Sequence, residues 1–291
     1  MKIKKSKIIL IIMLSIFIVL IAVFLISPYS TALFKSKSHF IQHSLATNVY
    51  FESGAEVYAD SIVRFLPSAI ERVEQVHGLP FEEPFNIYVC NTQKSFNQYT
   101  AITTTAYSIR GTALLGDVLI APSAFNFIGL DTHMETLTHE LSHLHFQQRL
   151  GFFTRRKIPA WFHEGLADFV GGSGGEGISD SEAINFMLSG RHFIPEEEGE
   201  IFGTLTKAFN GLSGPMFHKQ VKMFVTFIIE SDSLKFNSFL REILNGESFS
   251  ESFYNKMNSR IQDKWRLFLS QLEDRSNSDT QSKDLEQMNN N

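Results

Sequence analysis

Residues 8–26 read IILIIMLSIFIVLIAVFLI, an apolar run interrupted only by Ser15. About 20 such residues cross the hydrocarbon core of a bilayer as a helix, whereas the apolar region of a cleavable leader has only ~7–15. The best small-residue cleavage candidate, Ser30-Thr31-Ala32, comes late and follows Pro28. Lys2, Lys4, Lys5 and Lys7 precede the run, and basic residues stay on the cytoplasmic side. The expectation is a single-pass protein of the cell membrane, with a basic cytoplasmic leader (1–7), an uncleaved transmembrane signal-anchor (8–27) and an extracytoplasmic remainder.

Charge narrows the partners of that remainder. The chain carries a net −5, the leader lysines contribute +4, and −9 is left for the rest. Such a surface offers nucleic acid no basic field, so no nucleic-acid partner is expected, and the membrane is met through the N-terminal helix alone. Cys90, in the apolar run FNIYVC, is the single cysteine, so no intrachain disulfide forms and the fold rests on its core. Nothing beside Cys90 lowers its pKa, which makes it a buried small hydrophobe rather than a nucleophile. With 28 Phe against two Trp, the interior should be packed with phenylalanine.

Beyond the anchor the pattern predicts a linker (28–49) and then one domain (50–273). A helix over 55–76 follows from apolar Val57, Ile62, Phe65, Ile70 and Val73, with Gly78 as its stop. FNIYVCN (85–91) is β-branched and aromatic, hence a strand, and GTALLGDVLIAPS (111–123) carries the Gly-Asp punctuation of two short strands or a hairpin. From Thr132 onward the pattern is helical. The expected fold is α+β: a small, mostly antiparallel sheet packed on a central helix, then a helical subdomain. Residues 274–291 are almost without apolar side chains and read as a solvated, disordered tail.

The central helix carries the chemistry. Thr132 and Glu135 have capping-box spacing, and Met134, Leu137, Leu141, Leu144 and Phe146 recur at helical intervals until Gly151. On it His139 and His143 share one face a turn apart, and Glu140 follows the first of them: the pattern H-E-x-x-H. Two such imidazoles can converge on one ion, with a carboxylate beside them for a general base. The pattern alone recurs in proteins that bind no metal, so its surroundings decide. Twenty residues separate His143 from Glu164 in PAWFHEGLADFV, with Asp168 one turn on. Catalytic zinc takes three protein ligands and an open position, and Glu164 is the natural third after the two histidines. Asp168 can accept the remaining N–H of a ligating histidine and fix its tautomer.

The pair HELSH and WFHEGLAD resembles the gluzincin metallopeptidases, the thermolysin-like, peptidase-MA-like group in which a glutamate on a second helix completes the zinc site. The likeness of layout runs from about residue 55 to 272. It implies one Zn²⁺ per chain held by His139, His143 and Glu164, with Glu140 as general base and acid, Asp168 behind the ligands, and a peptide or protein substrate. It also implies a Tyr or His on a later helix that stabilises the oxyanion. In FHKQVKMFVTFII, His218 stands at that place, with Tyr254 and Tyr107 as the other candidates. The implied reaction is metal-assisted hydrolysis of a peptide bond. The strand within GDVLIAP is the expected edge to which an extended peptide adds.

Other conspicuous residues have plainer readings. His145 and His163 sit beside ligands but face elsewhere, as packing or surface histidines, and His133 is expected exposed at the helix start. TRRK (154–157) either grips a substrate carboxylate or is a solvated basic loop. GGSGGEG (171–177) lacks the Lys and Ser/Thr of a phosphate loop, so it is either a flap over a cleft or a linker. Ser142 has no evident triad. Two rivals to the peptidase remain: a zinc-binding but non-catalytic extracytoplasmic interaction module, and a zinc-free domain whose histidines belong to the core. The second leaves the carboxylates of Glu164 and Asp168 among apolar neighbours without partners, which is costly.

Overall fold

The computed structural model describes residues 12–19, 21, 32, 34–100, 109–126, 129–200 and 205–289. The expected membrane segment lies largely outside these. Residues 12–19 are helical and exposed, and among the described residues no helix is long and apolar enough to cross a membrane. The order is β1 (Ile41–His43), β2 (Ala46–Phe51), α1 (Glu56–His77), β3 (Ile87–Val89), α2 (Gln93–Thr100), β4 (Gly111–Leu114), β5 (Asp117–Ile120), α3 (His133–Arg149), α4 (Phe152–Arg156), α5 (Ala160–Gly171), α6 (Asp180–Leu188), α7 (Leu205–Ala208), α8 (Gly214–Ser231), α9 (Ser233–Leu244), α10 (Phe249–Met257) and α11 (Ile261–Asn289). The class is α+β.

The five strands form one sheet in the order β1-β2-β3-β5-β4. It is mixed, not mostly antiparallel: β1 with β2 and β4 with β5 are antiparallel, while β2 with β3 and β3 with β5 are parallel. The helix α1 between β2 and β3 is long enough to carry the chain back to the same sheet end, which a parallel pair requires. The hairpin β1–β2 also occupies ground where a linker was expected. Its sequence IQHSLATNVYF spreads polar residues along both strands, so no clean period of two marks it.

Alternation sorts the inner strands. Val49, Phe51, Ile87, Val89, Val118 and Ile120 face α1 and α3 in the main core, while Leu119 and Cys90 belong to a smaller cluster on the opposite face with Phe96 and Tyr99 of α2. The Cys90 thiol is buried there, and burial pushes its pKa far up, as an inert side chain requires. The helical half is packed with aromatic rings: Trp161, Phe162, Phe224, Phe239 and Phe249 are all buried and in contact with one another. Buried apolar residues of α11 run from Ile261 to Leu272, although the helix itself continues through the polar segment to Asn289.

Helix α3 is the hub. It packs against α1, α5, β4 and β5, and α5 lies between α3 and α8. The crossing of α5 with α8 depends on Gly165, where a Cβ would stand 2.7 Å from the Val221 carbonyl oxygen and from the Val225 side chain. Thr132 starts α3 at the expected place, yet not by a capping box: its hydroxyl donates to the Ala124 carbonyl at 3.1 Å and accepts from Arg110. His133, expected exposed, is buried, stacked on Phe125 and bonded to Ser61 Oγ at 2.8 Å. Packing of α1 over the first turn of α3 removes it from water.

Candidate metal centre

Helix α3 puts the Nε2 atoms of His139 and His143 3.0 Å apart, with the rings edge to face. The return of the chain into α5 brings Glu164 Oε2 to 3.5 Å from the first and 3.4 Å from the second. Donors about 2.1 Å from a tetrahedral ion stand about 3.4 Å from one another, so this triangle has the dimensions of a metal site. The three residues can hold a metal ion, as two imidazoles and one carboxylate gathered on one side of a point.

Asp168, one turn past Glu164 and buried, holds the surrounding groups. Its Oδ1 accepts from His139 Nδ1 and from Ser173 Oγ, both at 3.0 Å, and its Oδ2 accepts from His218 Nδ1 at 2.8 Å. Burial alone would lower the His139 pKa; the Asp168 charge and hydrogen bond, helped by Glu164 and Glu140, raise it well above the usual value instead. Burial opposes ionisation of Glu164 too, but the His143 charge and hydrogen bonds from both histidines hold its carboxyl well below the usual range. The cluster therefore keeps Glu164 and Asp168 ionised with a proton on His139, which a dication can displace on binding. His143 differs: its Nδ1 is buried with no hydrogen-bond partner, and its ring lies on that of His163.

Glu140 leaves the opposite edge of the cluster and reaches the sheet. Its Oε2 accepts the Ala113 N–H at 2.9 Å, and at Gly111 a Cβ would stand 2.7 Å from Glu140 Cγ, so only glycine leaves the carboxylate room. Burial raises the Glu140 pKa against the lowering charges of His139 and His143. The strand it touches is β4, the edge of the sheet; β5, within GDVLIAP, lies between β3 and β4, so the expected edge strand is corrected to its neighbour. Gln147, two turns along α3, donates to the Ala113 carbonyl at 2.7 Å.

These groups line a cleft of about 460 Å³ that His139, Glu140, His143, Glu164, Asp168 and His218 share. The other two candidates for the later donor fall away from it: Tyr254 is 55% exposed on α10 and is not among the cleft residues, and Tyr107 lies outside the described residues. The glycine-rich loop forms a cleft wall through Ser173 and Glu176. Glu176 pairs with Arg110 at 3.0 Å, tying the loop to the entrance of β4 across 66 positions of chain. No motif announces that pair; only the topology joins it. Ser142 faces away, into the core, where it meets His77 Nε2 at 3.1 Å; His77 Nδ1 in turn meets His145. No acidic third member and no cleft accompany that Ser–His contact among the described residues.

No family model, no curated protein and no solved structure matches the chain.

Proposed function

We propose that the chain is a membrane-anchored zinc metallopeptidase of the gluzincin kind, hydrolysing peptide bonds of a peptide or protein substrate outside the cytoplasm. The observation that carries this reading is the convergence of His139, His143 and Glu164 on one point of a cleft that Glu140 and His218 also line. A zinc ion held by such a set acts as a Lewis acid, bringing a water toward neutral pKa and polarising a carbonyl. Glu140 takes the proton of the attacking water and returns it to the leaving nitrogen, a transfer suited to a carboxyl whose pKa burial has raised. With Nδ1 engaged by Asp168, His218 turns Nε2 toward the cleft and donates to the developing oxyanion. Burial would lower the His218 pKa, but Asp168 raises it, which keeps that donor protonated. An extended substrate adds along β4 through main-chain hydrogen bonds. The apolar run 8–26 supports the membrane part of the reading.

The rival is a zinc-binding module that does not catalyse, and the bond from Ala113 N–H to Glu140 favours it because it occupies the base. Zinc analysis and a peptide-library cleavage assay separate the two. The expectation is about one zinc per native chain, much weaker retention in Glu164→Ala, and in Glu140→Gln full zinc with hydrolysis lowered at least ~100-fold. A folded native chain that refuses zinc sinks both readings; a zinc-loaded chain that cleaves nothing leaves the module.

A further inference from the structure

A second cavity, of about 200 Å³, shares Glu164 with the metal cleft. Its wall is made by Arg155 and Arg156 at the end of α4 and by His163 and Glu164 of α5, with Ile158 and Ala160 as apolar lining. Three other charged groups reach it. Lys207 and Glu200 are paired with each other, and the Glu196 carboxylate acts on Lys207 as well. Arg155 is different. It is half-buried, and among the described residues no hydrogen bond or ion pair joins its guanidinium to any acceptor. Burial and the adjacent Arg156 charge both push its pKa down, and a guanidinium still does not give up its proton. A charge withdrawn from water without a counter-charge is costly unless a ligand supplies one.

We infer that this cavity receives a carboxylate of the substrate, next to the bond that is cut, with Arg155 as its partner. The planar fork of a guanidinium matches a carboxylate through two parallel hydrogen bonds, and an ammonium does not reproduce that geometry. A cavity this small, below the range that holds drug-sized ligands, suits a single residue. The inference rests on the peptidase reading, and it names a substrate class for that same site. Two sources carry the group: the α-carboxylate at a peptide's C-terminus, or an Asp or Glu side chain.

The test uses the zinc-loaded full chain with two matched sets of peptides, one ending in a free acid or an amide, the other with Asp or Asn inside a capped sequence. In the native protein one acidic member should be cleaved with kcat/KM about 10- to 100-fold above its neutral match, the range of a hydrogen-bonded charge pair. In Arg155→Gln that ratio should fall toward one, and in Arg155→Lys it should be intermediate. Zinc content measured alongside reports whether each variant is folded. Preference for the free C-terminus points to the α-carboxylate, and preference for Asp points to a side chain. Equal rates for acid and neutral peptides in both sets overturn the inference and leave the peptidase reading standing. A preference that survives in folded Arg155→Gln overturns the role of Arg155. If no peptide is cleaved, the peptidase reading fails by itself, and calorimetric binding of the same peptides decides: tighter binding of an acid supports the carboxylate site, and equal affinities overturn it.

Discussion

His163 lies flat against His143, with ring centroids 4.4 Å apart and planes 7° from parallel. Since His143 Nδ1 has no hydrogen-bond partner, this stack, with the Nε2 contacts to His139 and Glu164, orients the imidazole. His163 stays neutral there, because burial and then the His143 charge lower its pKa well below normal. His163→Ala should weaken metal binding about 2- to 10-fold, the worth of one aromatic pair, and His163→Phe should restore most of it. Competition with a chromogenic chelator reads the difference.

Asp168 restrains His139 and His218 together, one oxygen to each. Asp168→Asn removes the charge while keeping the shape, and should lower metal affinity about 10- to 100-fold. It should also bring the His218 pKa down, because the Asp168 charge is what raises it. Titration of the imidazole C–H signals by NMR in the metal-free variant checks the second effect.

Gly165→Ala puts a methyl 2.7 Å from the Val221 carbonyl, where backbone must give way. The expected loss is about 1–3 kcal/mol of stability, with weaker metal retention because Glu164 is the adjacent residue. Urea denaturation with and without metal separates the two.

Leu115 heads the β4–β5 turn at φ 53°, followed by Gly116 at φ 84°, the backbone of a type I′ turn. Leucine disfavours that region, and this side chain is 71% exposed, so it gains little in return. Leu115→Asn should stabilise the protein by about 1 kcal/mol, seen as a rise in Tm of about 2–4 °C.

His77 is buried, and burial followed by the His145 charge lowers its pKa well below 6.5; His145 is lowered to about 4, chiefly by burial. Unfolding lets both take protons near 6.5, so the unfolded chain binds more protons between that value and about 4. Their stabilising contribution is complete above about pH 6.5 and is lost as pH falls through this window, by roughly 3 kcal/mol for His145. Denaturation in chelator at pH 7.5 and pH 5 should show a larger loss for the native chain than for His77→Phe.

Local patterns were legible wherever a structure is decided locally. The limits of α1 and α3 followed from apolar spacing and from Gly78 and Gly151, and the cluster of His139, His143 and Glu164 from two motifs on neighbouring helices. What escaped depends on distant chain. The direction of β3 beside β5 is set by connections, not by the strand residues, and His133 is buried because α1 and Phe125 cover it. The pairing of Arg110 with Glu176 and the stack of His163 on His143 need the three-dimensional path before either has a meaning.

Ala113 gives its N–H to Glu140 and its carbonyl to Gln147, so helix α3 already holds the hydrogen-bonding positions that an incoming strand would use at that residue. A peptide that aligns on β4 there must compete for the same amide proton, and in winning it sets the carboxylate loose. On the proposed peptidase reading, occupancy of the edge and release of the Glu140 carboxylate would be a single event, gated by one backbone amide.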